Sequence, residues 1–272
     1  MLADPRTFIG VPGWRSAVLA ALFALPWLVA LARGHLRRWQ LWAALVAAAI
    51  LFPFSIAWVQ VPIQQGLNLL WTRLLTMPDI QRYLLAVAVP SIVTSGLVQE
   101  SAKLLVAIAG LRLLGANRRP LAGLAMGVAA GAGYGGFEAF WVFNQIFASG
   151  ITWATVQLYG VAALLGFIER FLTVPFHVGA AALAGYGYAS GRPWRFLLLA
   201  IALHSLANYG AILLQAGLLD ALSIELWVAV VGAVAVGLAF ALRKRSVRAG
   251  AEQPARPAGG STPSTTPPGA LS

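Results

Sequence analysis

The chain has 272 residues, 60% of them hydrophobic and only 10% charged. A soluble domain carries about 25% charged residues, so an ordinary water-soluble enzyme is excluded. Cysteine is absent, which removes disulfides and thiolate chemistry. The net charge of +11 does not indicate nucleic acid, because the basic residues sit in short loops between apolar runs, the positive-inside arrangement.

A bilayer crossing takes roughly 20 mostly apolar residues, and the sequence offers long apolar segments at about 14–32, 40–59, 83–113, 119–147, 163–189, 194–217 and 223–242. The expected fold is therefore all-α, a polytopic membrane bundle of about seven helices. The first segment is long for a signal h-region and is flanked by Trp14 and Arg15, which favours a retained helix. Residues 62–78, between Pro62 and Pro78, are shorter and mixed, as in an interfacial helix. A second short surface or re-entrant element is expected over 149–162.

Loop charge orients the bundle. Arg33, Arg37, Arg38, Arg112, Arg118, Arg119, Arg192 and Arg195 fall in alternate loops, and Arg243, Lys244, Arg245, Arg248 and Arg256 follow the last segment. The opposite side holds Arg6, Arg15, Arg73 and Arg82 with Asp4, Asp79, Asp220 and Glu225. This places the N-terminus outside and the C-terminus in the cytoplasm. Residues 1–245 then form one transmembrane domain, and 246–272, rich in Pro, Ser, Thr, Ala and Gly, a disordered cytoplasmic tail.

Within the apolar segments remain Glu100, Lys103, Glu138, Glu169, Arg170, His177 and His204. A charged residue at a helix centre costs roughly 2.5–3.5 kcal/mol on insertion scales, so these groups are expected to face one another or water. Gln99, Glu100 and Lys103 share an arc of about 100° on one helix. Arg170 and His177 are two turns apart on one face, with Glu169 adjoining, and Pro175 between them can open the backbone. His204 and Asn208, at i and i+4, project together. Counted from the cytoplasmic loops, Glu100, His177, His204 and Asn208 lie roughly 14–22 Å deep and Glu138 nearer 28 Å. Four helices so converge on overlapping depths, as for one shared site.

Each group has a plainer reading. Glu100 and Lys103 form a neutralising intrahelical pair; Arg170 snorkels to the outer interface; the histidines are structural hydrogen-bonders; Tyr134 and the tryptophans near 141 and 153 pack or belong to an aromatic belt. Against these stands a chemical reading. A carboxylate and a histidine can deprotonate a water, while a second histidine with an asparagine donates to an oxyanion. Together they suit peptide-bond hydrolysis without a covalent nucleophile. Zinc is compatible with His177, His204 and a glutamate, but no H-E-x-x-H pair compels a metal.

The stretch "GAGYGGFEAFW", 131–141, also fits G-x-G-x-x-G through Gly131, Gly133 and Gly136. A dinucleotide loop needs a preceding strand, and here the flanking sequence is continuous apolar helix. Gly127, Gly131 and Gly135 recur at i+4, the small-residue face that lets membrane helices approach closely. No nucleotide partner is expected.

In order, "QESAK", "GYGGFEAFW", "ERFLTVPFHVGAAALAGYG" and "HSLAN" resemble the PrsW/YhfC-type intramembrane proteases, within the superfamily that includes CAAX prenyl endopeptidases and bacterial Abi proteins. The resemblance covers about 95–210, within a protease-like core of about 83–217. It implies catalytic Glu100, Glu138, His177, His204 and Asn208, supported by Gln99, Lys103, Glu169 and Arg170. Membrane-protein substrates in a bacterial cytoplasmic membrane are implied as well. The family usually carries two adjacent glutamates where this chain has Gln99 then Glu100, and Gln99 cannot be a general base. Either Glu100 or Glu138 takes that role, or the chain is a non-proteolytic relative. A small proton-coupled transporter and a membrane scaffold are the alternatives.

Overall fold

The computed structural model describes residues 8, 13–116 and 119–251. Asp4, Arg6, Arg118 and Arg256, and residues 252–272 of the expected tail, lie outside them. Among the described residues there is no strand. The helices are α1 (Trp14–Ala32), α2 (Trp39–Ser55), α3 (Val61–Leu74), α4 (Met77–Arg82), α5 (Leu84–Val87), α6 (Val89–Leu114), α7 (Pro120–Ala148), α8 (Trp153–Tyr159), α9 (Leu165–Ala189), α10 (Pro193–Gln215) and α11 (Ala221–Ala251). Among the described residues six helical runs are long and apolar enough to cross a membrane, so the protein is a multi-pass integral membrane protein. The seventh expected segment, α7, is helical over 29 residues. It is not among the six.

Helix α7 is the axis of the bundle and touches α1, α2, α6, α9 and α11. Every residue from Ala122 to Gly136 is buried. A helix enclosed on all sides can pack closely only with small side chains, and this run is mostly glycine and alanine. Against α9 the two chains are antiparallel in a fixed register: a Cβ on Gly123 would strike the Gly185 carbonyl, one on Gly127 the Ala181 carbonyl, and one on Gly131 the His177 carbonyl. The expected face of Gly127, Gly131 and Gly135 thus meets α9. Gly133, from the other side, abuts the Leu45 carbonyl of α2.

This close approach predicts a graded effect. Gly131→Val should lower thermal stability in detergent by about 1–3 kcal/mol, the usual cost of overpacking. Gly66→Ala, on α3 where nothing lies within 4 Å of the added methyl, should leave the melting temperature unchanged or raise it slightly. Equal melting curves for the two variants would contradict the register.

Three boundaries differ from expectation. Pro62 does not end a helix: α2 passes through a π-helical segment, Ile56–Gln60, into α3. In that segment Val61 N–H bonds to the Ile56 carbonyl. A proline is tolerated in such a widened turn, where the ordinary i−4 bonding is already interrupted. Because the π turn inserts a residue, the buried face that steps through Ala44, Ala48, Phe52 and Ile56 resumes at Ala57 and Val61. Pro78 likewise lies inside α4, at its second position, while α3 has already ended at Leu74, and Thr76 caps α4 in a reciprocal box with Asp79. Finally, α11 continues to Ala251, so residues 246–251 are helix and not tail. The element expected over 149–162 is α8 with the 3₁₀ turn Gly160–Leu164, and α9 runs unbroken through Pro175.

At the α10–α11 turn, Asp220 accepts from the N–H groups of Ser223 (2.7 Å) and Leu222 (3.1 Å). The Ser223 N–H above all holds its carboxyl below the usual range. This cap on α11 is therefore fully present at neutral pH and is lost as pH falls through the lowered value.

Candidate active site

Four helices deliver the buried ionisable groups to one place. On α6, Glu100 and Lys103 are both fully buried, with Lys103 Nζ 2.6 Å from Glu100 Oε1. That same oxygen lies 2.6 Å from His204 Nδ1 on α10. Lys103 Nζ is also 3.0 Å from His177 Nδ1 on α9 and 5.4 Å from the centre of the Tyr134 ring. An ammonium can only donate, so His177 Nδ1 accepts and the neutral ring carries its proton on Nε2. Lysine thereby fixes the tautomer.

His177 Nε2 lies 2.8 Å from Glu138 Oε2, and Arg170 Nη1 lies 2.9 Å from Glu138 Oε1. Arg170 also pairs with Glu169. It does not reach an outer interface: it is buried, as is His177. The glycine register explains how Glu138 serves both partners. Extended from Gly131 opposite His177, it brings Glu138 level with Arg170, while His177 stands seven residues deeper, roughly 10 Å along α9. Helical side chains lean toward their own N-terminus. In an antiparallel pair Glu138 therefore leans inward and His177 outward, and the tips meet. The greater depth expected for Glu138 holds for its backbone, not for its carboxylate.

The contact between His177 Nε2 and Glu138 Oε2 lacks hydrogen-bond alignment, and Oε2 has no hydrogen-bond partner. Glu138 faces a cavity of about 340 Å³ that is also lined by Gln99, Arg170, His177, His204 and Asn208. Glu100 is not part of that lining. It sits behind, accepting from Lys103 and holding His204, with its Oε2 buried and without a partner. Phe176 packs edge-on against both imidazoles, which are 5.3 Å apart centre to centre.

Asn208 does project with His204, but its Nδ2 donates to Ser95 Oγ at 2.9 Å. Several polar members have no charge or spacing signal in the sequence. Ser55 Oγ is 2.8 Å from the Tyr134 hydroxyl, so Tyr134 is more than packing. Gln60 Oε1 accepts from Gln99 Nε2, and Gln64 Nε2 donates to the Ser91 carbonyl. Only the pairing of polar residues with the π turn could have drawn attention to Gln60.

Glu100, His177 and His204 offer ligand atoms all within 4.8 Å of one another, and two imidazoles with a carboxylate are donor types that hold catalytic zinc. Lys103 Nζ, however, already occupies Glu100 Oε1 and His177 Nδ1. Glu100, His177 and His204 would hold such an ion with Lys103 displaced from Glu100 Oε1 and His177 Nδ1, and no step below runs through one.

A polytopic helical membrane protein with a buried carboxylate–imidazole–cation centre opening on a cavity is the class that fold and site define. Residues 142–231 match the family model described as YhfC intramembrane metalloprotease. The chain is also 30% identical over 138 residues to the "Uncharacterized membrane protein YhfC" of Bacillus subtilis (strain 168), a stretch covering 40% of this chain and 53% of the relative. It thus spans about half the length of the curated relative it matches. No solved structure matches. By these two matches the chain is similar to YhfC-type membrane proteins. The family match contains Glu169, Arg170, His177, His204 and Asn208, and leaves Gln99, Glu100, Lys103 and Glu138 outside it.

Proposed function

We propose that the protein is an intramembrane endopeptidase in which Glu138 activates water. The observation that carries this reading is that Glu138, which lines the cavity with His204 and Asn208, has its Oε2 2.8 Å from His177 Nε2 and without a hydrogen-bond partner. In the proposed reaction Glu138 takes a proton from a water as its oxygen attacks the scissile carbonyl carbon. The carbonyl oxygen becomes an oxyanion, to which His204 and Asn208 donate in this reading. Glu138 then returns the proton to the leaving nitrogen as the C–N bond breaks. His177 and Arg170 position the carboxylate, which is the base that Gln99 cannot supply.

Glu100 takes a different part. It receives His204 Nδ1–H, which leaves Nε2 as the nitrogen that His204, when doubly protonated, presents to the substrate. Single-span membrane proteins are the proposed substrates. The proposed domain plan is one transmembrane unit carrying this site, followed by a cytoplasmic tail.

The test is cleavage of reconstituted single-span substrates by purified protein. His204→Ala should reduce kcat/KM by about 10²–10³, the effect of removing an oxyanion donor. Treatment with a strong chelator followed by metal analysis should leave activity intact. Stoichiometric zinc whose removal abolishes cleavage would overturn the metal-free chemistry, and no cleavage of any substrate by wild type would overturn the peptidase.

A further inference from the structure

Part of the cavity lining is uncharged and made of side-chain amides. Gln99 Nε2 donates to Gln60 Oε1 and to Ser95 Oγ, both at 3.1 Å. Gln60 Nε2 continues to Gln64 Oε1 at 3.4 Å, and Asn208 Nδ2 shares the same Ser95 Oγ. A primary amide has two N–H donors and one carbonyl acceptor. Both donors of Gln99 are engaged, its side chain is buried at 6% exposure, and its Oε1 has no hydrogen-bond partner. The amide plane is held from two sides, so this acceptor is fixed in orientation.

A buried unpaired acceptor costs about 1–3 kcal/mol, and what it lacks is a donor. Within a membrane helix every peptide bond is sealed by its own hydrogen bonds, and hydrolysis requires that they open. Each backbone group freed in hydrocarbon costs several kcal/mol unless a new partner is supplied. The same cavity has groups for a carbonyl at His204 and Asn208. Gln99 Oε1 supplies the complement.

We infer that Gln99 Oε1 accepts a backbone N–H from a substrate segment unwound inside the cavity. Gln60 and Ser95 hold it in place, so the site reads main chain rather than side chains. The identity of the occupant rests on the peptidase reading. It follows that helices interrupted by Gly or Pro, which unwind at low cost, are favoured over uninterrupted ones.

The experiment measures binding of a dye-labelled synthetic single-span Leu/Ala peptide with a central Gly-Pro interruption, by fluorescence anisotropy. The full-length protein carries Glu138→Gln so that the peptide is not consumed. Each amide around the interruption is replaced in turn by an ester, which removes the N–H and keeps the shape. One ester position should weaken binding about tenfold, the equivalent of one hydrogen bond. That same ester should have less than about a twofold effect once Gln99→Met is added. The inference is overturned if no ester position is sensitive, or if the sensitive one stays equally sensitive with Gln99→Met.

Should Gln99→Met fail to fold, Gln60→Met removes the oxygen that anchors Gln99 and should reduce the same coupling in part. Cleavage assayed with Glu138 restored separates the two readings. Coupling without cleavage sinks the peptidase and leaves the main-chain contact standing, whereas cleavage without coupling does the reverse.

Discussion

Glu138→Gln should abolish turnover while leaving substrate binding within about threefold, a loss of about 10²–10⁴ in kcat if the carboxylate is the general base. Glutamine keeps the shape and can still accept at Oε1 from Arg170, but it cannot take a proton from water. The comparison that gives this weight is Glu100→Gln. Glu100 lies behind the cavity, between Lys103 and His204, so its neutralisation should alter stability and the orientation of His204 in addition to rate. The variants are compared by single-turnover cleavage together with melting temperature. Full activity in Glu138→Gln would exclude it as the base and return that role to Glu100.

Lys103→Met is the substitution with the largest expected effect on stability. The ammonium is wholly enclosed and contacts Glu100 Oε1, His177 Nδ1 and the face of Tyr134. Removing one partner of such a pair leaves an uncompensated buried carboxylate, which costs about 3–5 kcal/mol. It also frees His177 Nδ1 and with it the tautomer that keeps the ring proton on Nε2. Thermal unfolding in detergent should show the single variant strongly destabilised. The double variant Lys103→Met with Glu100→Gln should recover most of the loss, because a neutral pair carries no unmatched charge. Additive losses would mean that Lys103 is held by something other than its pairing with Glu100.

Much of this centre is legible in the sequence because membranes make charge expensive. Glu100, Lys103, Glu138, Arg170, His177 and His204 stand out against apolar helices, and their spacing on successive helices anticipates one cluster. Gly127 and Gly131 are legible for a similar reason, since a bare backbone face implies a close neighbour. What periodicity leaves open is which carboxylate faces the cavity. Glu100 and Glu138 look alike in one dimension, and only the α7–α9 register turns the second toward His177.

Gln60, Gln64 and Ser95 escape notice because an uncharged polar residue is cheap enough in a helix to need no partner. Pro62 misleads because a π turn absorbs it, so what reads as two elements is one. The double-glutamate comparison draws attention to Gln99 as a lost base, whereas its place in the structure is as a tethered amide.

The uninterrupted run from Trp39 to Leu74 has a mechanical consequence. Its 36 residues span about 54 Å, far more than the hydrocarbon thickness of about 30 Å. Such a rod cannot stand upright and wholly immersed: it must tilt, or its α3 end must ride beyond the acyl chains into the headgroups. That end carries Gln60 and Gln64, beside the cavity, and exposes Leu69, Leu70 and Leu74. Lipid beside such a run has to deform to match it. On the peptidase proposed above, a guest helix that replaced such lipid would relieve the mismatch, so part of its drive to enter would come from the bilayer and not from any contact with the protein.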